Sequence, residues 1–325
     1  MKQVSLAESG WGRRPKATRR QQFLAEMERV VPWERLLPLV APAQPPASAR
    51  GGRPAHAAGV MLRIHFMQQW FGLSDPAMEE ALHDIPVMRA FAGLDIGTDP
   101  LPDESSILRF RHRLEEMGVA QRLFEEINAL LRERGLMLRQ GTLVDATLIA
   151  APSSTKNRQR ARDPEMHQTR KGQQWHFGMK AHVGADAASG LVHAVVCTAA
   201  HVSDVTQAHR LLHGGETAVF ADAGYQGVDK RPGNTGRDVR WMVAMRPGKR
   251  RQLRGTRWGA LLERVEHLKA RVRAKVEHPF RVIKRQFGYV KTRYRGLKKN
   301  AAQVMTLFAL ANLYQARHEL MCGTG

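Results

Sequence analysis

Apolar residues in the last third of the chain recur at steps of three and four: Leu261, Val265, Leu268, Val272, Val276, Phe280, Ile283 and Phe287. That spacing predicts one long helix with a single buried stripe. Beside the stripe run Arg273, Glu277, Arg281 and Lys284, so one carboxylate is held in a line of cations. Taken alone, they fit i,i+4 pairing on a solvated helix, at about 0.2–0.5 kcal/mol per pair. Pro279 removes the bond to the Lys275 carbonyl and predicts a kink.

Upstream, residues 59–139 read as helices throughout. MLRIHFMQQWFG stops at Gly72, Ser74 caps DPAMEEALH, and IPVMRAFAG closes at Gly93. PDESSILRFRHRLEE opens with Pro102 and two acids and carries Arg109, Arg111, His112 and Arg113 in its last turns. GVAQRLFEEINALLRERG completes a compact bundle whose basic helix suggests DNA docking of helix-turn-helix type. The alternative is that those arginines solvate the helix and complement its C-terminal dipole. Before the bundle come a basic arm over residues 1–20, a short helix QQFLAEMERVV, and a Pro-, Ala- and Gly-rich linker over residues 41–58.

At Gly141 the pattern changes to strands: GTLVDATLIAAP, then WHFGMKAHVGAD and GLVHAVVCTAA joined by a tight turn at Ala187–Gly190. HVSDVTQAHRLLHG reads as a helix capped by Ser203 or Asp204. TAVFADAGYQG and RDVRWMVAM are a fourth and a fifth strand, and RPGKRRQLRGTRW is a basic loop. After Asn300, taken as a cap, AAQVMTLFALANLYQAR is apolar nearly all round and belongs inside. The order is α/β with an antiparallel start. The pattern predicts a division into residues 1–58 (arm, short helix and linker), 59–139 (a helical domain suited to DNA), 140–318 (an α/β domain) and 319–325 (tail).

Charge narrows the class of partner. Lys+Arg 51 against Asp+Glu 30 gives +21, spread over most of the chain. Such an excess implies a polyanion, most simply nucleic acid bound through its phosphates. No apolar run is long enough to span a bilayer and no signal-peptide pattern opens the sequence. Cys197 and Cys322 are the only cysteines, which leaves no disulfide framework and fits a reducing cytoplasm.

Two acids stand out on the strands. Asp145 sits amid Leu143, Val144, Leu148 and Ile149, where a carboxylate costs several kcal/mol unless paired. An internal salt bridge or hydrogen bond would account for it. Asp222 follows Val219–Ala221 at the carboxyl end of its strand, where open α/β sheets bind ligands or where a turn is capped. If Asp145, Asp222 and Glu277 converge at about 4 Å, each pair repels by ~4 kcal/mol at an effective dielectric of 20. Three such pairs, roughly 12 kcal/mol, rival the ~5–15 kcal/mol stability of a domain. Oxygen ligands of this kind call for divalent cations, Mg2+ or Mn2+, and two such ions suit phosphodiester chemistry.

GTLVDATLI, APSSTKN, WHFGMKAHVG, VFADAGYQG and RVRAKVEHPFRVIKRQFG together resemble the DDE transposases of bacterial insertion sequences, specifically the insertion-sequence-five group. LRIHFMQQWFGLSDPAMEEALHDIPVMRAFAGL extends the resemblance, which runs from roughly Leu62 to Leu313. It implies a ribonuclease-H-like catalytic fold: a mixed five-stranded sheet of order 3-2-1-4-5, flanked by helices and preceded by an all-α DNA-binding region. Asp145 would stand on the first strand, Asp222 after the fourth, and Glu277 on the helix after the fifth. The family signature Tyr-x2-Arg-x3-Glu-x6-Lys is matched by Arg273, Glu277 and Lys284, with Ala270 where the Tyr stands.

By that resemblance the three acids hold two Mg2+ (or Mn2+) ions and are catalytic, cutting DNA at an element's inverted repeats and joining the freed 3′ end to target DNA. Arg273, Lys284 and Arg281 would hold end phosphates. Lys180, His176 and the run Arg246, Lys249, Arg250, Arg251, Arg254 and Arg257 would line the DNA path. Arg109, Arg111 and Arg113 would contact DNA from the N-terminal domain. Trp241 or Trp258 could stack on a base, although packing explains them more simply, and His201 reads as structural. A synaptic homodimer on double-stranded DNA is implied, with the protein cytoplasmic and nucleoid-associated when bound. The alternatives are a decayed transposase acting as a repressor and a metal-dependent nuclease that cuts without joining.

Overall fold

The computed structural model describes residues 16–45, 55–95, 97–253 and 257–322. Arg13, Arg14, Arg254 and half of the linker, residues 46–54, lie outside the described residues. The chain packs as two units, residues 1–123 with 316–325, and residues 124–315. No described helix is long and apolar enough to cross a membrane.

The first unit is all helical: α1 Arg19–Val30, α2 Trp33–Val40, α3 Ala58–Phe71, α4 Asp75–Asp84, α5 Pro86–Ala92, α6 Glu104–Glu116 and the start of α7 Val119–Glu133. The caps fall where the sequence places them. Ser74 Oγ accepts from Ala77 N–H, and the left-handed Gly72 and Gly93 end their helices. Aromatic rings build the core, with Trp70 edge-on to Phe23, Phe66 and Phe91. Helix α2 has no counterpart in the sequence reading. The last helix, α12 Arg317–Cys322, packs on α1 through Arg317 and Glu26 at 3.0 Å.

Helix α6 corrects one expectation. Arg109 is exposed, but Arg111 is buried and its guanidinium grips Asp75 at 2.9 Å and Glu115 at 2.8 Å. Arg113 is half-buried and donates to the Ala43 carbonyl at 3.3 Å. Burial works against ionising the Asp75 carboxyl, yet the bonds from Arg111 and Gln68 hold it below the usual range. Arg111 is therefore a structural cation. Removing one member of a buried pair costs about 3–5 kcal/mol. Arg111→Ala should melt several degrees lower with DNA affinity per folded molecule unchanged, and Arg109→Ala should do the reverse. Thermal melts beside DNA titrations separate them.

The second unit is built on one mixed sheet: β1 Gly141–Ala150, β2 His167–Lys171, β3 Gln174–Asp186, β4 Val192–Ala199, β5 Ala218–Ala221 and β6 Arg240–Val243. β4, β3, β1, β5 and β6 lie side by side, which is the expected 3-2-1-4-5 order of a ribonuclease-H-like domain. β1 is antiparallel to β3 and parallel to β5, and β5 is parallel to β6. The sixth strand, β2, is new: it pairs with the first residues of β3 as a hairpin. At the base of that hairpin Gly178 is required, because a Cβ there would come within 2.1 Å of the Ile149 carbonyl oxygen.

Helix α11, Leu297–Gln315, is buried as its composition demands, and it contains one polar anchor. Asn312 pairs with the edge of β4 by accepting from Val192 N–H (2.9 Å) and donating to its carbonyl (2.7 Å), and it also donates to Asn128 (2.8 Å). The helix starts three residues before Asn300. Asp163 and Glu165 accept from the Gly296 and Leu297 N–H groups at its first turn. Asn300 instead ties the preceding loop through Tyr294 and Gly296.

Three further expectations change. Residues 204–211 form two short 3-10 turns and no α-helix, and the Asp204 carboxylate turns to Lys180. The basic loop contains a short helix, α8 Pro247–Gln252. The long terminal helix is broken into α9 Arg257–Arg273, a 3-10 turn Ala274–Val276, α10 Glu277–Arg281 and a π-turn Val282–Gln286. The break falls at the carbonyl that Pro279 leaves without its i+4 donor, and Glu277 N–H turns to it instead. Its apolar stripe is buried only from Val276 onward, while Leu261 and Leu268 are 51% and 58% exposed. The cause is polar: Glu266 is buried on α9, accepting from Met245 N–H, and Lys269 donates to the Val243 carbonyl. Those bonds fix which face of α9 meets the sheet.

Candidate active site

Asp145 lies within β1, and Asp222 immediately follows β5. The parallel register sets Val144 beside Ala221. The next residue on each strand is an aspartate, so the two stand level on neighbouring backbones, about 5 Å apart. Glu277 reaches the same end of the sheet from the helix layer. The 3-10 turn before it packs on β1, with Val276 buried. Lys275 anchors that turn by donating to the carbonyls of Ala187 (3.0 Å) and Ala188 (2.8 Å). Gly190, at φ +77°, allows the close approach, since a Cβ would sit 3.0 Å from the Lys275 oxygen.

The charges register this proximity. Burial is the main force raising the Asp145 carboxyl to about 6, opposed by its 2.7 Å bond from Ala146 N–H. The like charges of Asp222 and Glu277 push it further up, and Arg273 pulls it down. Asp145 therefore has no carboxylate-neutralising partner of the kind an internal salt bridge would supply. Asp222 also caps its turn, accepting from Gly224 N–H at 2.9 Å. Three carboxylates offer the hard oxygen donors that Mg2+ or Mn2+ takes. As the side chains stand, no three His, Cys, Asp or Glu among the described residues are gathered closely enough to hold an ion.

The cations of the signature divide into two kinds. Arg273 is half-buried and acts on Asp145 through its charge. Lys284, on the π-turn, donates to Thr147 Oγ1 at 2.6 Å and to the Leu148 carbonyl at 2.9 Å, so two of its three N–H donors clasp β1. Burial, then the charge of Lys171, lowers its pKa, and Glu277 counters them. Arg281 and Arg251 are exposed. Arg250 pairs with Glu263, its Nε lying 2.8 Å from the carboxylate. Lys180 is a correction: it is shielded from solvent, bonded to Asp204 at 2.9 Å and to the Val202 carbonyl at 2.8 Å. Its charge is already paired with the Asp204 carboxylate, whereas Lys284 bonds only to neutral oxygens.

One residue at this end went unnoticed in the sequence. Tyr225 is buried, and its hydroxyl has no hydrogen-bond partner among the described residues. Burial first, then Asp204, Asp145 and Asp222, keep that phenol protonated. Its only signal was its place three residues after Asp222.

Residues 137–313, which include all three acids, match the family model described as Transposase DDE domain. The chain belongs to the DDE transposases. Residues 13–113 of this transposase match a second model, described as Transposase domain (DUF772), over the helical unit. No solved structure matches the transposase. The two matches together indicate the insertion-sequence type, with which the insertion-sequence-five group is compatible.

Proposed function

We propose that this transposase binds the inverted repeats of its own element, cuts the DNA there and joins the freed 3′ end to target DNA, as a homodimer on two ends. The observation that carries the proposal is Asp145. Its carboxyl is raised by burial and by the charges of Asp222 and Glu277, which outweigh the Ala146 N–H bond and the charge of Arg273. Asp145, Asp222 and Glu277 would hold two Mg2+ or Mn2+ ions. Bound ions of this kind supply an activated water for the attack and a counter-charge for the leaving oxygen.

The chain's own residues supply position and charge. Arg273, half-buried beside the acids, balances them and offers its remaining guanidinium N–H groups to a phosphate. Lys284, held by Thr147 and Leu148, presents its third N–H at a fixed point beside β1. Arg281 and Arg251 are exposed to take phosphates further along, and Arg109 does so from the helical unit. Lys284→Ala should weaken complexes with end DNA and reduce the salt slope by about one unit. An unchanged slope in salt titrations would remove Lys284 from the phosphate contacts.

The deciding experiment uses labelled end DNA, a target plasmid and Mg2+. Joined product supports the proposal. Cutting without joining leaves a nuclease, and binding without cutting leaves a repressor. The inverted repeats flanking the gene supply the end sequence.

A further inference from the structure

The hairpin of β2 and β3 is absent from the sequence reading, and its chemistry is one-sided. Residues 151–178 hold six cations, Lys156, Arg158, Arg160, Arg162, Arg170 and Lys171, and all are exposed. The segment has two acids, Asp163 and Glu165, which accept from the N–H groups of Gly296 and Leu297, Glu165 staying exposed. The surface it shows to water is therefore mostly cationic.

On that surface stands Trp175, 66% exposed on a strand. It lies directly across from Arg170 in the ladder, so ring and guanidinium share one face. Arg170 is steadied by Gln173 at 2.5 Å, and Arg162 lies over the ring of Phe177, two residues along that same face. Lys171, at the tip of the hairpin, is close enough to Lys284 for the two charges to act on each other.

An aromatic ring left in water beside guanidinium groups matches the face of a nucleic-acid base, with cations for the adjoining phosphates. In a closed duplex each base face is covered by its neighbours. A free face is offered only where a strand is frayed, displaced or freshly cut. We infer that the β2–β3 hairpin grips a frayed or displaced DNA strand, Trp175 stacking on an unpaired base while Arg170 and Lys171 hold its phosphates. The inference rests on the transposase reading for its place in the reaction, but the binding it describes needs no cleavage.

The test uses the full chain without metal and two synthetic probes, a blunt duplex and the same duplex with a short single-stranded oligothymidine flank. The wild type should prefer the flanked probe. Trp175→Ala should weaken that complex by about 5- to 100-fold, the loss expected for one stacked base, and leave the blunt duplex unaffected. Trp175→Phe should keep most of the preference. Arg170→Gln with Lys171→Gln should lower the salt slope on the flanked probe by about two units. The ring is mostly in water, so melting curves of all variants should overlay the wild type. Equal binding of both probes by the wild type, or a Trp175→Ala chain that keeps its preference, overturns the inference. A wild type that prefers the flanked probe through Trp175 and yet never cuts in Mg2+ would instead sink the cleavage proposal and leave the hairpin's role standing.

Discussion

Asp145→Asn, Asp222→Asn and Glu277→Gln each abolish Mg2+-dependent cleavage of end DNA and leave end binding within a few-fold. Each change keeps the shape of the side chain and removes one anionic ligand, so the loss falls on chemistry and not on docking. Asp145→Asn carries a second expectation. In metal-free buffer near pH 8 the wild type holds a poorly solvated carboxylate beside two others, so the neutral side chain raises the melting temperature, by about 1–3 kcal/mol of stability. Excess Mg2+ reverses the ranking. An ion bound only by the folded state adds about 2.7 kcal/mol at one hundred times its dissociation constant, and the variant forgoes that gain. Differential scanning of both proteins with and without Mg2+ reads this directly. A variant that cuts at the wild-type rate, or a wild type whose melting is indifferent to Mg2+, takes that residue out of the site.

Acid should destabilise this protein from about pH 6.5 downward, before most carboxylates titrate. Burial, the first cause in each case, lowers His65 in the helical unit and His193 in the α/β unit to about 4, and it lowers the buried His182 as well. Above pH 6.5 these rings are neutral folded or unfolded and add no pH dependence. Between 6.5 and about 4 the unfolded chain takes up protons that the folded chain refuses, so stability falls with pH. Each such histidine contributes a slope of about 1.4 kcal/mol per pH unit and a total of about 3 kcal/mol. Asp145 works in the opposite sense: its raised carboxyl burdens the fold above about 6, and that burden lifts as pH falls toward 3.8. It offsets one histidine in its unit and leaves the other. Denaturant titrations from pH 8 to pH 4 should show the loss, and His193→Asn should flatten the curve by one proton's worth. A stability that stays level from pH 6.5 to pH 4.5 contradicts the buried neutral state of these rings.

What could be read in the sequence follows a physical division. Caps were legible because capping is local: Ser74, Gly72 and Gly93 bond within their own turns. Strand order came from the family resemblance, and the sheet agrees with it. Asp145 was legible as an anomaly, a polar group among apolar neighbours, Asp222 by its place at a strand end and Glu277 through the family signature. The face of α9 was not, because three-and-four spacing says which residues share a side and not which side is covered. There Glu266 and Lys269, bonded to Met245 and Val243, outweigh Leu261 and Leu268. Arg111 and Lys180 misled for the same reason. A cation's partner may lie far along the chain, as Asp75 and Asp204 do, and only that partner decides whether the charge faces DNA or the interior.

By itself, then, the sequence determined the local grammar of this transposase: two kinds of secondary structure in two blocks, a cationic excess, and a carboxylate, Asp145, set among apolar neighbours. The tertiary structure alone decided which charges are spent inside and which remain outside. It brought Asp145 level with Asp222 through the β1–β5 register, drew Lys284 onto β1, and raised a hairpin with Trp175 in water. Burial and pairing depend on neighbours distant in the chain, and no local pattern records them.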